Sequence, residues 1–417
     1  MRTISLRRLK RAPEHFVLFE GKFNTLLNEL IWKGRVSSVK KQEPIRVLHV
    51  VGRMDRGGIE TLIMNLYRNI DRSKVQFDFL AHYGREAVYN EEIRSMGGVI
   101  YEMPALKDDT HVYYWRLFQY IKALREFFKS HDYKIIHGHM TNTASIYMPI
   151  AKEFGVSTRI AHSHNTHGKA GLLGFVTNVL QKPIYKNATD WFACSKAAAY
   201  WFYPKDQVDS GKVTIVPNAV DAQRFRFSND IRSRMRSDLG IENNLVIGCV
   251  ARFRPEKNHS FLLKVLLETL RIEPSAVLLF AGEGPCEDSV KTEVEKLGLR
   301  GKVIFLGMRT DVPDLLQAMD VFVLASLWEG LPVTGIEAQA SGLHCVVSDG
   351  ITEEMNALDM VDYVSLDAPL REWAEKIVKS AGYPRKDTFE EMKRAGYDIH
   401  TTASWLQEFY LRKARES

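Results

Sequence analysis

Two glutamates flank a short segment of small residues, "LWEGLPVTGIEAQASG". Glu329 and Glu337 stand eight positions apart, and Pro332 lies between them where a helix should begin. The free amide groups of a helix start attract an anion, usually phosphate. Glu337 would lie about 7 Å further along the axis, where a carboxylate can accept both hydroxyl protons of a ribose. The spacing predicts a nucleotide clamp, although two ordinary surface glutamates or an acid and base pair that hydrolyses a glycosidic bond would show the same pattern.

Basic residues follow a neighbouring predicted strand. Arg252 and Lys257, in "ARFRPEKN", come directly after the apolar run "LVIGCV". Ligands of open α/β sheets bind at such carboxyl ends of strands, and two cations there would neutralise a diphosphate leaving group. Alone, the segment would indicate an ordinary basic loop, but the anion-binding helix start predicted on the same sheet edge favours the diphosphate role. The turns "AGEGP" and "FLGMRTD", which contain Glu283 and Met308, also follow strands, and their glycines would let the backbone approach a planar ring.

The first half of the chain offers a glycine turn and a group of histidines. "MDRGG" brings Gly57 and Gly58 to the start of a predicted helix, where the backbone can approach a phosphate or sugar. The histidines follow two further strands and are His137, His139, His162, His164 and His167. No nearby aspartate, glutamate or cysteine cluster completes a metal shell. Hydrogen bonding to sugar hydroxyls or phosphate is therefore favoured over a metal, and a purely structural role stays open.

These residues need a sheet to position them. Runs of Val, Ile and Leu alternate with helical patterns along most of the chain, which predicts an α/β protein with buried parallel strands. Two such series, 45–210 and 211–395, predict two doubly wound, Rossmann-like domains that face each other across a cleft. The break between them falls in the polar segment "YPKDQVDSGK". A length of 417 residues, 45% of them hydrophobic, gives enough apolar surface for two cores.

The net charge of +6 resides in the first 44 residues, which carry ten basic and four acidic side chains. This leader also has an apolar helical stripe, which is typical either of a surface anchor for anionic lipid or of a helix docked on its own domain. The rest of the chain has no basic stripe, which argues against nucleic-acid binding. Four scattered cysteines indicate a reducing compartment, and neither a bilayer-spanning run nor a secretory signal is evident.

Taken together, the motifs resemble the family-4 retaining glycosyltransferases of the GT-B fold. The matching segments, in order from about residue 45 to 410, are "GRMDRGGIET", "IIHGHM", "AHSHN", "VPNAVD", "VARFRPEKN", "AGEGP", "FLGMRTDVPDLL" and "EGLPVTGIE". The chain is most similar to the exopolysaccharide and capsular polysaccharide glycosyltransferases of firmicutes. The shared tail "SDGITEEM…VSLDAPLREWAEKI" supports that narrower placing.

The resemblance implies transfer from a nucleotide-sugar in the second domain, with UDP favoured, to a lipid-linked saccharide on the first. It gives a part in the reaction to His139, Glu329, Arg252 and Lys257. The implied donor-binding residues are Gly58, Arg252, Lys257, Glu283, Met308, Glu329, Gly330, Leu331, Pro332, Val333 and Glu337. The acceptor-side candidates are Gly57, His137, His162, His164 and Asn165.

Several expectations follow from the resemblance for the molecule as a whole. No metal or other cofactor is expected, and the last helix, about 396–414, is expected to cross back to the first domain. We expect a cytoplasmic protein at the inner face of the membrane, with residues 1–44 and the segment 168–188 as lipid-facing candidates. Two alternatives stay open: a glycoside hydrolase that uses Glu329 and Glu337, which would leave the two cations without a role, and a non-catalytic scaffold.

Overall fold

A computed structural model describes residues 43–55, 57–82, 86–104, 116–164, 184 and 186–416. The predicted leader lies almost wholly outside these residues, as do Asn165, His167 and most of the segment 168–188. Within the described part of the chain, no helix is both long and apolar enough to cross a bilayer.

Seven parallel strands of the described residues form the first sheet, in the order β3-β2-β1-β4-β5-β6-β7. They are β1 (Ile45–Val51), β2 (Val75–Ala81), β3 (Ile100–Glu102), β4 (Ile135–Gly138), β5 (Thr158–Ser163), β6 (Asp190–Ala193) and β7 (Val213–Ile215). The connecting helices are α1 (Gly58–Asn69), α2 (Asn90–Ser95), α3 (Arg116–Ser130), α4 (Thr141–Glu153), α5 (Lys196–Phe202) and α6 (Lys205–Asp209). The strand order reverses between β1 and β4, which is where such sheets open a crevice for ligands.

Six parallel strands of the described residues form the second sheet, in the order β10-β9-β8-β11-β12-β13. They are β8 (Val246–Val250), β9 (Val277–Ala281), β10 (Val303–Phe305), β11 (Val321–Leu324), β12 (Cys345–Ser348) and β13 (Val361–Val364). The helices are α7 (Asn229–Leu239), α8 (His259–Ile272), α9 (Glu287–Lys296), α10 (Val312–Ala318), α11 (Val333–Ala340), α12 (Leu370–Ala381) and α13 (Phe389–Arg394). Here the order reverses between β8 and β11, so the loops after these two strands share one crevice.

The two sheets confirm the predicted α/β class and its doubly wound arrangement. Every residue of β2, β4, β8 and β9 is buried, because helices cover both faces of each sheet. Burial of one Val, Leu or Ile side chain stabilises the fold by about 1.5–3 kcal/mol, so the apolar residues of these strands contribute strongly to stability. They hold the loops at the strand ends in fixed positions.

Strand β7 corrects one sequence-based assignment. The predicted break at residue 210 places "VTI" in the second series, but Val213 pairs with Trp191 and Ile215 with Ala193, so β7 is the edge strand of the first sheet. The polar segment that predicted a linker instead forms the short helix α6. Pro and Gly mark the ends of this helix rather than a boundary between domains. The outer bounds of the two predicted domains stay a prediction.

The last helix, α14 (Ile399–Arg415), packs on the first sheet. Asp398 caps it by accepting a hydrogen bond from the Thr401 amide. Its buried face includes Leu406 and Tyr410 and lies against α1, β1, β2 and β4. The chain therefore returns from the second sheet to cover a face of the first, and this face carries several of the histidines discussed below.

Candidate active site

The predicted clamp is a loop after β11 that leads into helix α11. The Glu329 amide donates to the Gly350 carbonyl at 3.0 Å, which ties the loop to the one that follows β12. Pro332 has φ −69° and ψ 119°, so it caps the helix, and Val333 is the first helical residue. The sequence predicted Pro332 as the first helical residue. Because the ψ angle of Pro332 is extended, the helix begins one residue later than predicted. The amides of Val333 and Thr334 have no acceptor within the helix, whereas the Gly335 amide donates to the Pro332 carbonyl at 3.1 Å.

Lys257 and Glu329 form an ion pair in this crevice. Lys257 Nζ lies 2.5 Å from Glu329 Oε1, and the two side chains are 21% and 13% exposed. The Ser326 hydroxyl donates to the same carboxylate oxygen, and the Ser348 hydroxyl donates to the Ser326 carbonyl at 2.5 Å. The loops after β8, β11 and β12 are thus joined by polar contacts around one carboxylate. A ligand anion at this point would share the lysine with Glu329.

Glu337 lies one turn into α11 and is 9% exposed. Burial raises the pKa of its carboxyl to about 7, while the positive charge of Arg224 acts in the opposite direction. Among the hydrogen bonds and ion pairs of the described residues, none links Glu337 to Glu329. The two carboxylates therefore have separate surroundings.

The glycine turn of the first sheet meets the clamp of the second. A Cβ on Gly58 would lie 3.8 Å from a methyl group of Val333, and one on Gly57 would lie 3.7 Å from Arg252 Nη2. A Cβ on Gly57 would also collide with the carboxylate of Glu60. Burial raises the pKa of Glu60, and the charge of Arg252 opposes this shift. Gly57, Gly58, Arg252 and Val333, from distant parts of the sequence, are brought to one place.

The turns after β9 and β10 lie side by side. The Gly282 amide donates to the Gly307 carbonyl at 2.8 Å, and the Met308 amide donates to Glu283 Oε1 at 3.3 Å. Gly282 has φ +142°, and a Cβ there would collide with the Ala251 carbonyl, so only glycine fits. Glu283 and Met308 are therefore in contact, because they follow neighbouring strands of the same sheet.

Five histidines line one face of the first sheet, at the centre of its strand order. His49 stands opposite His137 in the register of β1 and β4, and His137 stands opposite Ile160 in β5. Because side chains alternate between faces, His139, His162 and His164 point to the same side. The group consists of His49, His137, His139, His162 and His164, and all but His164 are at least nine-tenths buried.

The rings of these histidines form two hydrogen-bonded rows. In one row, His139 contacts His49 at 3.0 Å through Nε2 and His164 at 2.9 Å through Nδ1. In the other, His137 contacts the Tyr410 hydroxyl at 2.6 Å through Nδ1 and His162 at 3.0 Å through Nε2. Burial lowers the pKa of every member, that of His49 to about 3. The rings are therefore neutral near pH 7.

Comparison with known proteins gives this site its chemical context. The family model described as "Glycosyltransferase Family 4" matches residues 56–224, and that described as "Glycosyl transferases group 1" matches residues 231–358. EpsF of Bacillus subtilis (strain 168), which is named as a glycosyltransferase, is 35% identical over 374 residues, 88% of this chain and 96% of EpsF. The chain belongs to the family-4 glycosyltransferases.

Two further relatives of this glycosyltransferase are named for more specific activities. The capsular polysaccharide biosynthesis glycosyltransferase CapH of Staphylococcus aureus is 24% identical over 376 residues, 88% of this chain and 99% of CapH. The UDP-Gal:alpha-D-GlcNAc-diphosphoundecaprenol alpha-1,3-galactosyltransferase of Escherichia coli is 29% identical over 263 residues, 57% of this chain and 66% of that protein.

The solved structures agree on the fold. Anabaena HepE, crystallised with UDP and glucose, superposes with a TM-score of 0.66 at 17% identity, covering 89% of this chain and 98% of that one. At this identity the likeness concerns the fold alone. Together with the two Rossmann-like sheets, it confirms the GT-B fold of the glycosyltransferase.

Sequence reasoning missed three groups in this glycosyltransferase. His49 belongs to the histidine group, but its place depends on the pairing of β1 with β4, which a sequence does not display. Ser326 supports Glu329 and looks like an ordinary strand-end serine. Glu60 follows the glycine pair in "GGIE". Its position in the first turn of a predicted helix, next to the glycine turn, could have identified it as a site residue. Asn165, an acceptor-side candidate, lies outside the described residues.

Proposed function

We propose that this glycosyltransferase moves a sugar, with retention of configuration, from a UDP-sugar to a lipid-linked glycan in exopolysaccharide or capsule synthesis. One observation carries the proposal: the start of α11, the Lys257–Glu329 pair and the Gly57–Gly58 turn all meet at one place. The relatives support the classes of substrate, since one is named for UDP-Gal and a diphosphoundecaprenol acceptor, one for capsular polysaccharide, and a structural neighbour holds UDP.

The diphosphate is proposed to lie at the start of α11. Its oxygens would accept hydrogen bonds from the first helical amides, and the helix dipole favours their charge. Lys257 has three N–H donors, so it can bind a phosphate oxygen and keep one bond to Glu329. Arg252 would supply the second cation. The positive charge that a leaving diphosphate requires is then provided by the protein, and the transfer needs no metal ion.

The remaining donor contacts follow from the positions of the carboxylates and loops. Glu337 would accept hydrogen bonds from the ribose hydroxyls, one turn along α11 from the phosphates. Glu329, held by Ser326, would accept from hydroxyls of the donor sugar, together with the backbone from Gly330 to Val333. The turns that carry Glu283 and Met308 would receive the base.

The transfer is proposed to occur on one face of the sugar. The acceptor hydroxyl attacks the anomeric carbon from the side of the leaving group, the bond from that carbon to the diphosphate oxygen breaks, and the hydroxyl proton passes to the diphosphate. No protein nucleophile takes part. His139, at the strand ends of the first sheet, would lie beside the reacting sugar, and Gly57, His137, His162, His164 and Asn165 remain the acceptor-side candidates.

The place of the reaction is part of the proposal. A lipid-linked acceptor requires the enzyme to work at a membrane, and we propose the inner face of the cell membrane as its location. Residues 1–44 combine a basic surplus with an apolar stripe, which suits contact with anionic lipid. Nucleic acid is not a proposed partner.

The experiment is a titration of the purified full chain with a panel of UDP-, GDP- and ADP-sugars. We expect a UDP-sugar to bind, and Lys257→Ala to weaken this binding by about 1.5–3 kcal/mol, because a charge-assisted hydrogen bond is lost. Lys264→Ala is the matched control, since Lys264 is an exposed lysine on α8 nearby in sequence. With the bound donor and a lipid-linked acceptor, NMR should show an unchanged anomeric configuration. Binding that is equal in both variants, or an inverted product, would contradict the proposal.

A further inference from the structure

Three of the five histidines converge at the carboxyl ends of β4 and β5. His139, His162 and His164 each offer a ring nitrogen, and these nitrogens all lie within 4.8 Å of one another. His164 is partly exposed, whereas His139 and His162 are 6% and 2% exposed. The group therefore sits at the boundary between the core and the crevice. We call it the outer histidine trio.

One nitrogen of the trio is buried without a partner. His162 Nδ1 is engaged with His137, and its Nε2 has no hydrogen-bond partner. A buried polar group left unpaired destabilises a fold by about 1–3 kcal/mol. One set of tautomers leaves Nε2 of His162 unprotonated. In this set, His162 Nδ1–H donates to His137 Nε2, and His137 Nδ1–H donates to the Tyr410 oxygen. The unpaired nitrogen is then a free acceptor.

The contacts behind the trio resemble those that support metal ligands. Histidines that bind a metal generally have the other ring nitrogen fixed by a hydrogen bond, which sets the tautomer and the ring orientation. Here Tyr410 and His137 fix His162, and His49 contacts Nε2 of His139 at 3.0 Å. The remaining nitrogen of His139, Nδ1, faces His164 Nε2 at 2.9 Å. A metal ion would replace the single proton that these two nitrogens share.

We propose that the outer histidine trio binds a transition-metal dication of the Zn²⁺, Co²⁺ or Ni²⁺ class. Imidazole nitrogens suit these ions, whereas Mg²⁺ and Ca²⁺ prefer oxygen ligands. The sequence argued against a metal because no acidic or cysteine residues complete a shell, but three histidines with an open fourth position form a complete site for zinc. The ion has no part in the proposed transfer. It would bind His139, the residue that the proposed function places beside the reacting sugar, so it would inhibit rather than assist.

The outer trio is preferred over the inner group of His49, His137 and His139, whose nitrogens also lie within 4.8 Å of one another. The inner group is wholly buried, and the His49 ring packs against Phe77 and Phe79. A dication there would lose its water without an anion to balance it, which is strongly unfavourable. In the outer trio, the partly exposed His164 gives the ion a path from the crevice and leaves one position for water.

The test is a titration of EDTA-treated full chain, without a histidine tag, with Co²⁺. We expect one Co²⁺ per chain, visible absorption bands of a nitrogen-ligated ion, and displacement by Zn²⁺. His164→Ala should lower the affinity at least tenfold. His400→Ala, which removes an exposed histidine on α14, is the control and should change nothing. Tyr410→Phe keeps all three ligands and removes only the hydroxyl behind His137, so we expect a smaller loss than in His164→Ala.

Three results would overturn the proposal. One is the absence of stoichiometric Co²⁺ binding to the folded wild-type chain. Another is unchanged binding in His164→Ala, with folding checked by circular dichroism. The third is an equal loss in His164→Ala and His400→Ala, which would assign the binding to surface histidines. None of these results depends on sugar transfer, so the proposed function and the metal site stand or fall separately.

Discussion

At the scale of single residues, the Lys257–Glu329 pair is central to the proposed donor site. Burying the charge of Lys257 costs free energy because the lysine loses water. The contact with Glu329 at 2.5 Å offsets part of this cost before any substrate binds. In the proposed function, a diphosphate would add a second anion to a cation already held in place. Ser326 would keep Glu329 oriented as the diphosphate binds, because its hydroxyl donates to the carboxylate oxygen that also contacts the lysine.

Glu337 gives the site a pH dependence. Burial raises the pKa of its carboxyl from the usual 4.5 to about 7, so between these values the folded chain retains a proton that the unfolded chain has lost. The stability that the protonated form contributes is therefore lost as the pH rises through this window, by up to about 3 kcal/mol. The buried histidines, whose lowered pKa values act in the opposite direction, are common to both proteins. We therefore expect the unfolding free energy of the wild type to fall relative to that of Glu337→Gln in chemical denaturation measured from pH 4 to 8.

The same substitution tests the ribose contact. In its proposed role, ionised Glu337 would accept hydrogen bonds from two ribose hydroxyls, whereas glutamine has one acceptor oxygen, so the affinity for the UDP-sugar should fall in Glu337→Gln at pH 8. Glu408→Gln, on the exposed side of α14, is the control for both measurements. A difference in unfolding free energy between wild type and Glu337→Gln that does not change from pH 4.5 to 7, or a donor affinity equal in both variants, would contradict the role given to Glu337.

At the scale of elements, the sequence predicted which residues share a sheet edge but not which strands are neighbours. The carboxyl ends of parallel strands lie on one edge, so Arg252, Lys257 and Glu329 had to lie there once their strands were recognised. Strand pairing depends on contacts between distant segments. For this reason β7 was assigned to the wrong series, and His49 was not connected with His137. The one-residue shift of the α11 start reflects the backbone angle of Pro332, which spacing does not report.

The turn after β9 offers a prediction about an element. Gly282 and Gly298 both have positive φ, +142° and +67°, but only at Gly282 would a Cβ collide with backbone, while at Gly298 nothing lies within 4 Å. We expect Gly282→Ala to destabilise the chain by about 1–3 kcal/mol more than Gly298→Ala in denaturant titrations, because the turn must shift as well as adopt a strained angle. Equal losses would show that the turn adapts freely. A shifted turn should also weaken binding of the UDP-sugar.

At the scale of the whole molecule, two polar contacts and one helix tie the parts together. The Glu354 carboxylate accepts hydrogen bonds from the amides of Lys196 and Ala197 at the start of α5, at 2.6 and 2.7 Å. The Asn218 side chain donates to the Leu331 carbonyl at 2.8 Å, in the segment between the sheets. Helix α14 returns to the first sheet. These contacts hold the Gly57–Gly58 turn against the start of α11, where the proposed function places both substrates.

The central claim is that this meeting point holds the diphosphate, and a structure of the chain with its UDP-sugar tests it most directly. We expect both phosphates within hydrogen-bonding distance of the first amides of α11, with Lys257 Nζ bound to one of them and the ribose beside Glu337. A nucleotide bound elsewhere would contradict the account. So would a start of α11 that the bound nucleotide does not contact.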